Sequence, residues 1–338
     1  MSLGNGAVAG ARRNGRARGR DGCPAQPDRK QLTGRRNALP SAITRAARPV
    51  LVAARRPGYR SRMLPGFLIA GAARCGTTSM FEALSQHPAV FNAALLPWTK
   101  EVHYFDNNYD RGLAWYQCHF PPTARARLSA RRAGTAPVAF ESGPSYMFHP
   151  LAPERINRDL PGVKLLVLLR DPVERAYSAH ANRVSSGCEN EPFARALELE
   201  DARLEGEVER MLADPVYVSH SYRHHAYRTR GQYADQLERL ERIFGRDRIH
   251  VIDSGDFFAD PGPVYDQVLD FLGLPRRGHP LFGRHNARPR SAMPETVRAA
   301  LEEHFRPYDE RLTAWLGREP SWGRAGSGSR ARRGPVVS

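Results

Sequence analysis

The sequence predicts an α/β fold in which a central parallel sheet is covered by helices on both faces. Strands alternate with helices along the chain, and residues 163–169 form a near-continuous apolar run. Alternating strands and helices indicate crossover connections, which make neighbouring strands parallel. A strand that is apolar on both sides is typical of a sheet buried on both faces.

The elements follow in order from apolar runs, one-sided helical periodicity and the prolines between them. The first helix stops at His87-Pro88, because a residue before proline disfavours helical angles. The helix after the central strand begins at Pro172, which suits a first helical turn. The stretch 189–212 has little apolar character and is expected outside the sheet. The predicted elements are strands at 67–70, 138–141, 163–169 and 248–252 and helices at 77–86, 172–183, 189–212, 232–244, 264–272 and 294–316.

The loop after the first strand has the spacing of a phosphate-binding loop. Gly71 and Gly76 bracket four residues and allow the main chain to approach an anion. The helix start that follows offers N–H groups and a positive dipole end. Thr77 stands where the nucleotide-binding P-loop requires lysine, so Arg74 is the loop's cation. The loop therefore suits a phosphate group better than the β- and γ-phosphates of ATP with magnesium.

A second strand end is also suited to an anion. Strand 163–169 is followed by Arg170-Asp171-Pro172, and Ser178 lies two turns into the next helix. Arg170 and Ser178 can reach one anionic group from two sides. In open α/β sheets, ligands bind at the carboxyl ends of the strands.

Three motifs follow one another along the chain: Arg74-x-Gly76-Thr77-Thr78, Lys100-Glu101-Val102-His103-Tyr104-Phe105-Asp106 and Leu169-Arg170-Asp171-Pro172-Val173-Glu174-Arg175-Ala176-Tyr177-Ser178. In this order they resemble the motifs of sulfotransferases that use 3′-phosphoadenosine-5′-phosphosulfate. The resemblance is greatest to the heparan sulfate N- and 3-O-sulfotransferase branch and its bacterial relatives, and it covers residues 65–322. It implies a P-loop-like sulfotransferase fold.

The resemblance also implies roles for individual residues. Arg170 and Ser178 are expected to bind the 3′-phosphate, and Arg288, in a loop that closes over the nucleotide, is expected to assist. No metal is expected, because the leaving group is already a good one. The loop residues expected to bind the 5′-phosphosulfate are Arg74, Cys75, Gly76, Thr77, Thr78 and Ser79.

The catalytic candidates are Glu101, His103 and Arg74. Sulfuryl transfer needs a base for the acceptor's proton and a cation for the departing phosphate. Glu101 matches the family's base and His103 its neighbouring histidine; which of them is the base stays open. Both would face one substrate from an extended segment. The alternative interpretation, which the other two motifs make less favoured, is that Glu101 is a solvated surface charge and His103 a histidine packed between aromatic residues.

Two departures leave the acceptor open. The heparan sulfate enzymes carry lysine after the glutamate of the second strand, where this chain has Ser142 after Glu141. Their P-loop cation is usually lysine, where this chain has Arg74. The insert 183–230 is polar and aromatic, which suits a carbohydrate or another hydroxylated acceptor. Lipids and small metabolites also remain candidate acceptors.

The charge of the chain is concentrated in its tails. The sequence has 51 Lys and Arg, 35 Asp and Glu and a net charge of +16, yet residues 63–322 hold 32 basic and 33 acidic residues. Residues 1–62 and 323–338 are expected to be disordered extensions of one sulfotransferase domain at 63–322. A near-neutral domain excludes specific nucleic-acid binding. The four cysteines have no spacing that predicts a metal site or disulfide framework.

Neither a signal peptide nor a membrane span is evident in the sequence, because the run at 50–54 is far shorter than the about 20 apolar residues that a span needs. The Golgi members of the family carry an anchor, so a cytoplasmic location is expected here. The oligomeric state is left open. Two other functions are considered: a P-loop kinase or NTPase without the usual lysine, and a non-catalytic basic binding protein acting through residues 1–62.

Overall fold

A five-stranded parallel sheet organises the chain, with the strand order β2-β3-β1-β4-β5. The structure is a computed structural model that describes residues 49–93, 101–131, 134–283 and 292–324. The α/β fold with a parallel sheet is therefore confirmed. The strands are β1 Pro65–Gly71, β2 Val90–Asn92, β3 Val138–Ser142, β4 Lys164–Leu169 and β5 Ile249–Asp253.

Helices connect the strands and cover the sheet. Residues 49–55 are also helical, and short 3-10 turns lie at Arg56–Ser61, Tyr109–Arg111, Thr229–Gly231 and Arg246–Arg248. The helices are α1 Thr77–Leu84, α2 Tyr104–Asn107, α3 Leu113–Gln117, α4 Thr123–Ala130, α5 Ala152–Asp159, α6 Pro172–Ser185, α7 Phe193–Glu198, α8 Glu200–Leu204, α9 Glu207–Ala213, α10 His220–His224, α11 Tyr233–Phe244, α12 Ser254–Ala259, α13 Pro261–Leu272 and α14 Glu295–Leu316.

The two central strands form the core, as their apolar sequences predict. β1 and β4 are almost wholly buried, and Phe67 of β1 stacks on Phe140 of β3 with ring centroids 4.9 Å apart. The long helix α14 contributes the buried side chains Leu301, Phe305 and Leu312. Its predicted extent, 294–316, matches the structure to one residue.

The stretch 189–212 differs from the prediction of one helical segment. It contains three short helices, α7, α8 and α9. Gly206 precedes α9 with a left-handed backbone, φ 70°, which no continuing helix allows. The buried carboxylate of Glu200 accepts hydrogen bonds from the backbone N–H groups of Arg228 and Thr229. A long-range polar contact therefore orders a segment that lacks apolar periodicity.

Part of the predicted N-terminal extension packs against the domain. Val52 is buried against Cys118, Arg55 Nη1 donates to the Cys118 carbonyl at 3.4 Å, and Arg62 Nη1 donates to the Phe120 carbonyl at 2.8 Å. The boundary at residue 63 therefore separates residues that are in contact. The rest of the N-terminal extension, residues 1–48, lies outside the described residues. So do residues 325–338 of the C-terminal extension, of which only 323–324 are described. No helix in the described part of the chain is long and apolar enough to cross a membrane.

The strand order makes one edge of the sheet the place for a site. The chain starts at the central strand β1, adds β2 and β3 on one side, and then crosses to β4 on the other. The carboxyl ends of β3, β1 and β4 consequently lie side by side. Ligands of open α/β sheets bind at such a switch point.

Candidate functional site

The loop between β1 and α1 has the backbone of an anion-binding turn. Gly76 is the N-cap of α1 with φ 86°, and it has no side chain to cover the N–H groups of the first turn. A Cβ at Gly76 would lie 3.0 Å from the ring of Phe258, so only glycine fits both the angle and the space. Arg74 also has a positive φ of 74°, which is uncommon for a residue with a side chain. Uncommon backbone angles of this kind concentrate at functional sites.

The two predicted phosphate sites meet through Arg74. Its Nε donates a hydrogen bond to Oγ of Ser178, one residue of the second strand-end motif, at 3.1 Å. Arg74 and Ser178 are 104 positions apart in sequence, and the parallel pairing of β1 with β4 places them together. Thr77 and Ser79 of the first turn are buried.

Tyr233 of α11 ties the backbones of the two loops together. Its hydroxyl donates to the carbonyl of Arg170 at 2.9 Å and lies 3.5 Å from Sγ of Cys75. Ser254 Oγ donates to the carbonyl of Cys75 at 2.5 Å. Burial raises the pKa of the Cys75 thiol despite the opposing bond to Tyr233, so this sulfur packs as a neutral group. No local signal in the sequence marks Tyr233 as a site residue, because it lies 63 positions after Arg170.

The other two described cysteines have different states. Cys118 carries a free thiol, as Cys75 does, whereas Cys188 is disulfide-bonded. One bonded cysteine does not make a disulfide framework. The spacing of cysteines along a chain does not reveal which of them lie close enough in space to form a bond.

The second loop begins α6 with a side-chain cap. Asp171 Oδ1 accepts hydrogen bonds from the N–H groups of Val173 at 2.9 Å and Glu174 at 3.4 Å. Arg170 Nη2 lies 3.5 Å from Glu174 Oε2, one turn along the helix. Arg298 of α14 contacts the other oxygen of the same carboxylate at 2.6 Å. Arg170 is thus held at the sheet edge, on the side where Ser178 lies.

Two of the catalytic candidates, Glu101 and His103, form a chain of side chains with Asp106. Nε2 of His103 lies 3.2 Å from Oε2 of Glu101, and Nδ1 of His103 lies 3.0 Å from Oδ2 of Asp106. His103 has a left-handed backbone, φ 56°, and is the N-cap of the short helix α2. The predicted proximity of Glu101 and His103 is present, although the backbone turns at His103 and does not continue as an extended segment.

The flanking carboxylates favour a charged imidazole. Burial alone would lower the pKa of His103, but the charges and hydrogen bonds of Asp106 and Glu101 outweigh it and raise the pKa to about 10. Burial would likewise raise the pKa of Asp106, and the charge of His103 overcomes it and lowers the pKa to about 2. At neutral pH, His103 is therefore an imidazolium and Asp106 a carboxylate.

Glu141 at the end of β3 anchors the catalytic segment. It is fully buried, and its Oε1 accepts from the N–H of Val102 at 2.9 Å and from the hydroxyl of Tyr146 at 2.7 Å. Its Oε2 accepts from the hydroxyl of Tyr116 at 2.5 Å. Burial raises the pKa of Glu141 against these bonds. Since Val102 lies between Glu101 and His103, this carboxylate fixes the position of both.

A pocket adjoins Asp106 on the side of the helical insert. Within the described part of the chain, Oδ1 of Asp106 and Nδ2 of Asn107 are buried without a hydrogen-bond partner. The guanidinium of Arg230 lies 4.5 Å from the ring centroid of Phe148, which stacks on Tyr222 at 4.3 Å. The pocket is lined by Asp106, Asn107, Ser145, Phe148, His149, Met211, Val218, Ser219, Tyr222, Arg223 and Arg230.

The structure thus brings Glu101 and His103 together, as expected from the sequence. It also joins Arg74 to Ser178, two residues that the sequence motifs assign to different phosphate groups. Arg288 lies outside the described residues, and its role stays a prediction. Sequence reasoning missed Asp106 and Glu141 as site residues. A carboxylate three positions after His103 was a usable signal, since both lie in the same motif. Glu141 had no local signal, because it acts on a segment 39 positions away.

The known proteins that this chain resembles in sequence and in structure are sulfotransferases. Residues 64–282 match the family model of the sulfotransferase domain. The chain is 29% identical over 307 residues to heparan sulfate glucosamine 3-O-sulfotransferase 6 of Homo sapiens, covering 84% of this chain and 80% of the relative. It is 27% identical to bifunctional heparan sulfate N-deacetylase/N-sulfotransferase 4 of Mus musculus, covering 77% of this chain and 31% of the relative. Among solved structures, a sulfotransferase from Alicyclobacillus acidocaldarius is 30% identical, with a TM-score of 0.57, covering 78% of this chain and 99% of that one.

These relatives correct the expected location. The cytoplasmic assignment is wrong, because the curated relatives that match most of the chain are heparan sulfate sulfotransferases, the branch whose members work in the Golgi. The inference had rested on the lack of an anchor in the sequence, and such an absence does not determine a compartment.

Proposed function

This chain belongs to the sulfotransferase family, and we propose that it transfers a sulfuryl group from 3′-phosphoadenosine-5′-phosphosulfate to a hydroxyl or amine of a carbohydrate. The observation that carries the proposal is the 3.1 Å hydrogen bond between Arg74 and Ser178. It brings a P-loop cation to the residue that is expected to bind a 3′-phosphate. A nucleotide with phosphates at both its 5′ and 3′ positions fits this paired arrangement.

The donor would be held by two groups of residues. The backbone at 74–79, with the hydroxyls of Thr77, Thr78 and Ser79, offers N–H and O–H donors at a helix N-terminus to the 5′-phosphosulfate. Arg170 and Ser178 take the 3′-phosphate. When bound, the donor supplies a sulfuryl group on a phosphate leaving group. Arg74 stabilises the negative charge that develops on that phosphate, as a preorganised cation does.

Glu101 is the general base in this proposal. His103 is already protonated at neutral pH, given its pKa of about 10, and has no lone pair with which to accept a proton. Glu101 accepts the proton from the attacking hydroxyl or amine, and the adjacent imidazolium stabilises its carboxylate. Asp106 holds His103 in the orientation that faces Glu101.

The pocket beside Asp106 supports a carbohydrate acceptor. Among the described residues, it contains an acceptor without a partner, Oδ1 of Asp106, and a donor without a partner, Nδ2 of Asn107. An acceptor beside a donor suits sugar hydroxyls, which both donate and accept hydrogen bonds. Arg223 and Arg230 add positive charge, which favours a sugar that carries carboxylate or sulfate groups. The matched relatives are named for heparan sulfate, a polymer of this chemistry.

The two other functions considered find less support. A P-loop kinase needs an aspartate that is available to magnesium at a strand end, but the carboxylate of Asp171 accepts two N–H groups as the cap of α6. It also needs a lysine where Thr77 stands. Membership of an enzyme family removes the reason for a purely non-catalytic binding function.

A thermal-shift panel followed by a transfer assay tests the proposal. We expect 3′-phosphoadenosine 5′-phosphate to stabilise the protein without magnesium, and AMP to stabilise it less. A shift only with ATP and magnesium would instead support a kinase. Transfer of labelled sulfate from the donor is then measured with desulfated and partly sulfated glycosaminoglycans, with simple phenols and alcohols as controls. Sulfation of phenols but not of glycans would overturn the carbohydrate assignment.

A further inference from the structure

Two arginines share one carboxylate beside the proposed 3′-phosphate site. Glu174 Oε2 lies 3.5 Å from Nη2 of Arg170, and Glu174 Oε1 lies 2.6 Å from Nη2 of Arg298. Arg170 directly precedes the N-cap of α6 and Glu174 lies in its first turn, whereas Arg298 comes from the first turns of α14, 124 positions after Glu174. Only the contact with Arg298 has hydrogen-bond length.

The spacing of Arg170 and Glu174 creates a competition for Arg170. Arg170 precedes the N-cap of α6 and Glu174 lies in the first turn of that helix, so the 3.5 Å separation keeps Glu174 within reach of the Arg170 guanidinium. A carboxylate that pairs fully with Arg170 would occupy the N–H groups that a phosphate needs. The contact with Arg298 draws the Glu174 carboxylate toward α14 and leaves it at 3.5 Å from Arg170.

We infer that Arg298 is a positioning residue that keeps Arg170 available for the 3′-phosphate by engaging Glu174. Among the described residues, the carboxylates of Glu174 and Asp171 oppose the charges of these two arginines. Arg298 therefore acts through the place where it holds the Glu174 carboxylate, and not through an extra positive charge. The side chains of Arg170, Glu174 and Arg298 are each about 70% buried, so their ion pairs are only partly screened by solvent.

The inference rests on the proposed function, and its test uses the affinities of the full-length protein for two nucleotides. Calorimetric titration gives the dissociation constants of 3′-phosphoadenosine 5′-phosphate and of AMP, which differ by the 3′-phosphate. We expect Arg298→Met to reduce the preference for the former about 2- to 5-fold, the upper part of the range for a solvent-accessible ion pair. The affinity for AMP should not change, which also shows that the variant is folded.

The second variant tests the route through Glu174. In Arg298→Met/Glu174→Gln, the competing charge is gone, and the preference should return to at least its wild-type value. Arg311→Met is the matched control: it lies on the same helix and pairs with Asp235 and Glu238 instead, and it should leave the preference unchanged.

The remaining outcomes contradict the inference. An equal loss of affinity for both nucleotides in Arg298→Met would mean a structural role only. A loss that Glu174→Gln does not restore would mean that Arg298 contacts the phosphate itself, and an unchanged preference would mean no role. Equal binding of the two nucleotides by the wild-type protein would contradict the proposed donor itself, and with it any role of Arg298 in binding a 3′-phosphate.

Discussion

The two loops proposed to hold the donor, at 72–76 and 170–171 (the donor loops), and the segment 101–107 (the catalytic segment) are built in opposite ways. The donor loops follow directly from strand ends, and their glycine, proline and capping aspartate determine the backbone locally. The segment 101–107 follows no strand and contains only the four-residue helix α2. It is held by Glu141, which also accepts hydrogen bonds from Tyr116 and Tyr146. A local motif therefore specifies where the nucleotide is expected, while long-range contacts specify where the base is held.

The largest effect is expected from the base. Glu101→Gln keeps the size of the side chain and removes its basicity, so turnover should fall about 10²- to 10⁴-fold. Nucleotide affinity should stay the same, because Glu101 belongs to the catalytic segment and not to the donor loops. Steady-state kinetics and calorimetric titration of the same protein measure both quantities.

His103→Ala is the matched comparison for that variant. It should reduce turnover less than Glu101→Gln does if His103 only orients and stabilises the base. Near-normal turnover in Glu101→Gln together with an inactive His103→Ala would transfer the role to His103. An inflection of kcat near pH 6.5, the ordinary imidazole pKa, would contradict the raised pKa of His103.

The contrast explains what the sequence could and could not predict. The sheet, the two strand ends proposed to bind phosphate and helix α14 arise from local patterns of apolar residues, glycine and proline, which appear in the sequence itself. The roles of Glu141 and Tyr233 depend on contacts with residues tens of positions away. The packing of Val52 was equally hidden, because a short apolar run becomes meaningful only beside Cys118.

Two carboxylates, one buried and one partly buried, extend the contrast to the pH dependence of stability. Asp106 in the catalytic segment has a cationic partner, whereas Asp309 of α14 accepts from Trp322 Nε1 at 3.2 Å and faces the negative charge of Asp171. Burial first, and then Asp171, raise the pKa of Asp309 to about 7 from 3.8. Between about pH 4 and 7 the folded state keeps a proton that the unfolded state has lost, so this contribution to stability is lost as the pH rises through that window.

Asp309→Asn should remove this dependence. The variant should be about 2–4 kcal/mol more stable than wild type at pH 8, with the difference shrinking toward pH 5. Urea unfolding across pH 5–8.5 measures it, with the exposed Asp260→Asn as a control. A difference that does not vary with pH would show that Asp309 is already ionised in the folded protein.

The donor side has its own test in Arg170. Arg170→Ala should remove most of the preference for 3′-phosphoadenosine 5′-phosphate over AMP, because a charge-assisted contact is worth about 1.5–3 kcal/mol, or about 10- to 150-fold in affinity. Affinity for AMP should change little. If the variant retains the preference, the 3′-phosphate is bound elsewhere than at the end of β4.

The smallest effect should come from removing the packed N-terminal segment. It should reach the catalytic segment and leave the donor loops unchanged. Residues 49–62 contact Cys118 and Phe120, which directly follow α3, and Tyr116 of α3 donates to Glu141. A protein that begins at residue 63 should stay folded and bind nucleotide normally, but it should lose about 1–2 kcal/mol of stability with the burial of Val52.

Turnover of this truncated protein should fall several-fold, because the support of Glu141, and through it of Glu101, is loosened. A protein that begins at residue 49 is the control and should match the full chain in all three measurements. Equal losses of nucleotide affinity and turnover on truncation to residue 63 would mean that the donor loops and the catalytic segment depend on the same support, and the contrast between them would not hold.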